Sequence, residues 1–537
     1  MKIVTHIFKN FWIRFIALWE YIKNFPILSI SLFSIFITFI SIEVYEKLEI
    51  YKSQRFFMLF LLFLAIFFII FYLLLIWNFS QKVSSSREVP KYVVQILFFL
   101  LLLAFRLFIN FTKDSQTLVK IQSFTPDFRA FDIKILDIDR SGGDRQEVIF
   151  SIDDIGGLGY VDSFDNLNIG DVCNINSQIE IPENFDDFDY VGYLKNKNIY
   201  LKSSNIEINN CHYKFQFKNL QDIFLWLKRN LRIFRESLSQ RVEKYLPEPQ
   251  ASLLIGVLFG SQRAFSDEFE ESLRISGTTH IIAASGYNIT ILILASNKMF
   301  AFIKKKPRLI IALVLIWLYC ILSGLGASIL RATVMGSITI VSLLSGNVKN
   351  IHLLMPTGVF FLILINPKIL FDIGFQLSVL ATLGLIYVLP SIEGSLKQIF
   401  KIKSVPQFFE DNLLGTISCT LSTLPISISI FGKISIVSIF ANILVLPLTE
   451  STMLYGTVAL LGSFLIEGIS KILFSIPYIQ LRVFQIIVEF FGGLEWGYLD
   501  VTKSWLAIVI SGYLLLFCIY FYPIDEENYY VKRFKDI

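Results

Sequence analysis

The chain has 537 residues, of which 54% are hydrophobic, 15% aromatic and only 17% charged. A soluble enzyme of ordinary composition carries about 25% charged residues, and this length cannot coat several globular domains with so little polar surface. With 53 Phe, 4 His and a net charge of +4, a His-rich metal enzyme and a disordered tail are excluded, and the class is a polytopic membrane protein.

A helix needs roughly 20 apolar residues to cross a bilayer. Three such runs open the sequence, Phe25–Ile42, Phe56–Trp77 and Tyr92–Phe111. Lys and Arg favour the cytoplasm, and Lys2, Lys9, Arg14, Lys23 and then Lys82, Arg87 and Lys91 place the N-terminus and the second connection inside. The third helix therefore delivers the following segment to the exported side.

That segment, Asp114 to about Glu207, is the long polar region. Phe128–Asp139, Glu147–Asp153 and Val172–Ile181 alternate as half-buried strands do, and Gly142-Gly143 and Gly156-Gly157 are read as the turns between them. Several short strands predict a small barrel or sandwich, an OB-like barrel being one form. An exported location would permit Cys173 and Cys211 to pair; two separate thiols remain the alternative. The segment carries eighteen acidic and eight basic residues, a balance of −10, which makes it a poor holder of nucleic acid unless its cations cluster.

Residues Lys218–Leu246 place apolar residues at helical spacing beside seven basic ones, the pattern of a helix lying along a membrane surface. A solvated helix packed on its own domain is the plainer alternative. Ala251–Gly260 is apolar but too short to cross. Nine further spans follow: His280–Ile303, Leu309–Ser323, Ala327–Leu344, Leu353–Ile365, Phe371–Leu389, Leu413–Ile430, Ile434–Leu461, Ile472–Phe490 and Trp505–Tyr522. The expected architecture is thus a polytopic α-helical membrane protein of about twelve transmembrane helices with one exported, OB-like β domain. Its parts are three N-terminal helices (1–112), the β domain (113–215), the basic interfacial helix (216–250), a channel domain (251–523) and a tail (524–537).

An Arg at the centre of a membrane helix costs about 2.5–3.5 kcal/mol on insertion scales, so intramembrane polar groups normally face protein or water. The fourth helix carries His280, Ser285, Gly286 and Asn288, the sixth Arg331, and the eighth Asp372, Gln376 and Ser378. All three run inward, and at about 1.5 Å per residue Ser285, Arg331 and Gln376 sit about 7 Å below the outer end. A hydrated vestibule opening outward is the natural reading. Structural roles compete with it: Arg331 could reach the interface by its own length, and the small residues could serve close packing.

No phosphate loop is present; Gly432-Lys433 is followed by Ile434. HExxH, HxHxDH and GxSxG are absent, so no cofactor, metal centre or catalytic role is expected. Energy for any transport would come from a separate motor or a gradient.

Several ordered blocks resemble the ComEC-type competence protein family, the inner-membrane channels for single-stranded DNA in natural transformation. They are LLIGVLFG with LRISGTTHIIAASGYNITIL, GLGASILRATVM, NPKILFDIGFQLSVLATLGLI, and LPISISIFGKISIVSIFANILVLPL. IEIPENFDDFDYVGYL, at Ile179–Leu194, resembles the end of that family's exported OB-like domain. The resemblance covers about Asp114 to Leu461 and implies single-stranded DNA as cargo, an exported DNA receptor and a cytoplasmic ATP-driven helicase or translocase. It implies a multi-pass protein of the cytoplasmic membrane.

Two departures stand out. The metallo-β-lactamase-like domain that many members carry is not found, so strand degradation is expected to come from another protein. Asn288 and Ala327 stand where many members have His and Pro. On this reading Gly256, Gly260, His280, Ser285, Gly286, Asn288, Arg331, Gln376 and Ser378 form the transport pathway, with DNA also touching the basic helix. A gradient-coupled transporter of a smaller anion, through Asp372 or Glu450, and a scaffold binding through the β domain are the rival functions.

Overall fold

The computed structural model describes residues 128–501 apart from 140–144, 163–166, 185–189, 204–205, 214–219, 261–264, 283–285, 346–350, 401–409 and 466, together with scattered positions in 105–121 and residue 512. The first two N-terminal spans, most of the third, the span Trp505–Tyr522 and the C-terminal tail lie outside the described residues.

The chain divides into two compact units, one of residues 1–125 with 348–372 and one of residues 126–347 with 373–537. In the first, helix C-termini supply the organising chemistry. Backbone carbonyls at the end of a helix lack partners and attract cations. Arg106 accordingly donates to the carbonyls of Leu364 (3.0 Å) and Ile365 (2.6 Å), and Lys368 pairs with Asp114 at 2.9 Å.

The second unit begins with a six-stranded sheet in the order β5-β3-β2-β1-β4-β6. Its strands are β1 (Phe128–Asp139), β2 (Arg145–Ile152), β3 (Ile155–Asp162), β4 (Asp171–Gln178), β5 (Leu201–Ser203) and β6 (Glu207–Tyr213). In β1 the buried positions are Ile133, Ile135 and Ile138. Strict alternation would bury 137; a register shift between Ile135 and Asp137 changes the parity and turns Asp137 outward. Gly156 and Gly157 do not form the turn expected of them but lie within β3. A Cβ on Gly157 would overlap the ring of Phe150, a fully buried core residue, so the glycine makes room for the aromatic. The turn falls three residues earlier, at Asp153 and Asp154, with φ of 47° and 69°, the paired left-handed conformation of a two-residue hairpin. Cys173 and Cys211 face each other across β4 and β6 and form a disulfide. Closing a loop of 38 residues stabilises by about 4 kcal/mol in the chain-entropy account. The short helix α1 (Tyr190–Asn196) precedes β5.

Helix α2 (Leu220–Glu243) is the expected basic helix, and its cations are committed to the protein. Lys134 reaches Asp222 at 2.8 Å, Lys228 reaches Asp137 at 2.6 Å, and Arg229 reaches Asp171 at 2.5 Å. Arg232 donates to the Ile138 carbonyl at 2.8 Å. Asp222, Leu225, Arg229 and Arg232 share one helical face, which docks on β1 and β4. The opposite face leaves Ile223, Phe224, Trp226, Leu227, Ile233 and Phe234 exposed. The charged face packs on its own domain, and the apolar face is left outward.

The apolar bundle follows: α3 (Gln250–Phe259), α4 (Asp267–Ile275), α5 (Thr279–Ile282), α6 (Gly286–Met299), α7 (Lys305–Leu322), α8 (Ala327–Leu344), α10 (Ile373–Leu383), α11 (Leu389–Phe400), α12 (Gly415–Phe431), α13 (Ser438–Leu465) and α14 (Ser470–Gly492), with α9 (Ile351–Ile365) in the first unit. Among the described residues five helices are long and apolar enough to cross a membrane: Ala327–Leu344, Ile373–Lys397, Asn412–Phe431, Ser438–Leu465 and Glu467–Gly492. The molecule is a membrane protein with a β domain. The expected span His280–Ile303 contains α5 and α6, with residues 283–285 between them outside the described residues. The span begun at Phe371 runs on beyond Leu389 through a π-helical turn at Gly384–Val388.

Asp171 is buried, so removing its partner strands a charge. Arg229→Ala is expected to cost about 3 kcal/mol and to speed hydrogen exchange in β4 of the detergent-solubilised protein. Lys228→Ala, at a more exposed pair, is expected to stay within about 1 kcal/mol.

Candidate functional site

Helix α3 spans only about 15 Å, and all ten of its residues are buried. Its two glycines have different work. Gly260 ends the helix in the left-handed conformation, φ 66°, with its N–H on the Gly256 carbonyl at 2.7 Å. Gly256 faces α5 so closely that a Cβ would overlap the Ile282 side chain.

His280, on α5, is exposed, and Ser285 lies outside the described residues. Gly286 opens α6 and is exposed, with Ala332 of α8 as its neighbour. Asn288 does not face an open passage. It is 1% exposed, and its amide donates to the Val257 carbonyl (3.2 Å) and the Tyr319 hydroxyl (2.9 Å). A buried amide must satisfy its donors within the protein, and Asn288 does so by bolting α6 to α3 and α7.

Arg331, one position before Ala332, is 4% exposed and lies over the ring of Phe375 on α10 at 5.9 Å, near the outer limit of a cation–π contact. Gln376 and Ser378 follow on α10, both half-buried; the Ser378 carbonyl accepts from Thr382 at 2.9 Å. The N-terminal ends of α6, α8 and α10 therefore do meet, through Gly286–Ala332 and Arg331–Phe375. Among the described residues the Arg331 guanidinium is enclosed between helices, its side chain lying over Phe375.

The described cations of the basic helix are engaged within the protein. Beyond Lys228, Arg229 and Arg232, Arg241 donates to Ser463 through its side-chain hydroxyl (3.0 Å) and its carbonyl (2.5 Å). Lys244 pairs with Glu467, a contact that raises the Lys244 pKa, first through the hydrogen bond and then through the opposite charge. Arg235 also has a partner.

In the β domain, Lys197 and Lys202 lie over the rings of Tyr193 and Tyr190 at 4.4 and 5.5 Å, and those rings stack 6.4 Å apart. Burial, then the Glu147 charge, raises the Tyr160 pKa beside them. Two of the eight cations of an acidic domain thus gather on one aromatic patch.

Sequence reasoning passed over a polar chain on α14. Arg482, Gln485 and Glu489 recur at helical spacing inside the run Ile472–Phe490, and Gln485 also binds Gln250 of α3. Counting the ionisable residues within that run would have found it. Among the described residues, no group of three or more His, Cys, Asp or Glu could hold a metal.

The family model described as Competence protein matches residues 257–525, half of the chain. The chain belongs to the competence protein family. This competence protein is 26% identical over 388 residues to ComE operon protein 3 of Bacillus subtilis (strain 168), an alignment covering 68% of the chain and 46% of that relative. The match thus spans about half the relative's length. No solved structure gives a significant match.

Gly256→Ala is expected to disturb the α3–α5 contact and lower the thermal unfolding temperature of the purified protein. Gly286→Ala, whose Cβ would meet the Ala332 Cβ at 3.6 Å, is expected to leave it unchanged.

Proposed function

We propose that the chain is a channel of the cytoplasmic membrane that passes single-stranded DNA inward during natural transformation, driven by a separate motor and performing no catalysis itself. The observation that carries this reading is a guanidinium, Arg331, held among the converging ends of three apolar helices in a member of the competence family. Burying a cation in such surroundings is costly, and a polyanion crossing the bilayer is the cargo whose charge it would offset. On this reading the enclosed Arg331 belongs to a closed state, which opens when the strand displaces the guanidinium from Phe375.

The same reading takes about twelve spans and places the β domain on the exported side. The cystine Cys173–Cys211 fits an oxidising compartment. An OB-like barrel is supported by the meander β1-β2-β3, the parallel β3–β5 pair and the bridge between Glu180 and Lys202, which brings the end of β4 beside β5. An exported DNA receptor and a cytoplasmic helicase or translocase are the partners. The exposed apolar face of α2 rests on lipid, since its C-terminal end is tied to Ser463 and Glu467, where α13 and α14 meet.

A strain lacking the gene is expected to lose transformation and to recover it with the wild-type gene. Arg331→Gln is expected to restore at least about tenfold less, equivalent to about 1.4 kcal/mol, at equal membrane abundance. Normal transformation in the deletion strain would refute the proposal. Loss of uptake on neutralising Glu450, with Arg331→Gln harmless, would favour a gradient-coupled transporter.

A further inference from the structure

Helix α14 buries Phe474, Pro477, Leu481, Phe484, Gln485 and Val488. Gln485 is an amide on an otherwise apolar packing stripe, and its hydrogen bonds explain its presence. Its Oε1 accepts from Gln250 Nε2 at 2.6 Å and from Arg482 Nη1 at 2.7 Å, and its Nε2 donates to Glu489 Oε1 at 2.6 Å. Gln250 is itself 3% exposed, so the chain of bonds starts inside the bundle and ends on two exposed charged residues.

Arg482 lies near the middle of the candidate span Glu467–Gly492. Its exposed neighbours on the helix, Ile479, Val483, Ile486 and Phe490, are apolar. Packing gives no reason for a cation there, and insertion of one costs about 2.5–3.5 kcal/mol. Among the described residues its recorded partner is Gln485 Oε1 alone, which engages one of five guanidinium donors. Acyl chains offer no acceptor to the others; water or an anion does.

Glu489 is two turns away, about 10 Å along the axis, with Gln485 between the two charges. The pair is neutral as a whole, which eases insertion, yet the carboxylate does not occupy the guanidinium. A passage needs sites that hold a charge weakly enough to release it, and a cation compensated at this distance meets that need.

We infer that Arg482 is an intramembrane phosphate-binding residue, oriented by Gln485 and Gln250, that contacts the phosphodiester groups of the moving strand. The inference rests on the channel reading and adds to it a contact on α14, outside the α6–α8–α10 cluster. A lipid headgroup offers the same phosphate chemistry, but the mid-span position favours the strand.

The test places a cysteine at 482 in the full chain, in a background with Cys320, Cys419 and Cys518 replaced by Ser that still transforms. A water-borne cationic methanethiosulfonate reagent is applied to proteoliposomes. Arg482→Cys is expected to react, and single-stranded oligothymidylate is expected to slow the reaction at least about fivefold, as is inorganic phosphate at higher concentration. In cells, Arg482→Lys is expected to transform normally and Arg482→Gln at least about tenfold less well, at equal abundance. No reaction at 482, or a reaction slowed by raising the phosphatidylglycerol content but not by DNA, overturns the inference, the second outcome assigning the arginine to lipid. Normal transformation by Arg482→Gln also overturns it while leaving the channel reading intact. Slowing by phosphate in a protein whose deletion leaves transformation normal would keep the anion site and remove the strand as its ligand.

Discussion

A polar side chain within a bilayer can satisfy its hydrogen bonds only against protein, water or a passing solute, because the acyl chains offer none. That constraint sorts the polar residues of this bundle by what they touch. Asn288 meets it fully inside the protein, between Val257 and Tyr319, and so acts as a fastening for three helices. Gln485 meets it with Gln250 and two charged neighbours. Arg331 meets it with an aromatic face at the junction of α8 and α10. Two of the side chains set among these apolar helices, Arg331 and Arg482, are cations.

A second constraint fixes the β domain. Helix and sheet are held by opposite charge: Lys228 and Arg229 of α2 meet Asp137 and Asp171 of the domain, and Lys134 of β1 meets Asp222 of α2. This use of cations leaves α2 with an exposed apolar face. Within the domain, two further cations, Lys197 and Lys202, lie over Tyr193 and Tyr190. Charge that sequence alone assigns to cargo is in part mortar between two elements of the same chain.

The class of protein and the strand pattern were legible in composition and periodicity. β1 was read to the residue, since twelve alternating residues leave little freedom, although its bulge at Ile135–Asp137 was not foreseen. The Gly156-Gly157 pair misled because glycine marks both turns and close approaches; only the ring of Phe150, distant in neither space nor sequence, decides between them. Ser285, Arg331 and Gln376 were grouped by helix depth, but depth says nothing of which way a side chain faces. That is why Arg331 was expected on an open surface and Asn288 beside it, when one is enclosed and the other points to α3 and α7. The α14 chain was missed because an apolar run that is long enough to span draws attention away from the charges inside it.

The central claim is that the junction of α6, α8 and α10 touches the strand as it crosses. The most direct measurement places a photoreactive benzoylphenylalanine at Gln376 and, for comparison, at Val458, an exposed apolar position on α13. The protein is then illuminated in competent cells taking up labelled DNA. The account expects a covalent adduct with single-stranded DNA from position 376 and none from position 458. Adducts of equal yield at both positions, or DNA captured at 458 alone, would contradict it.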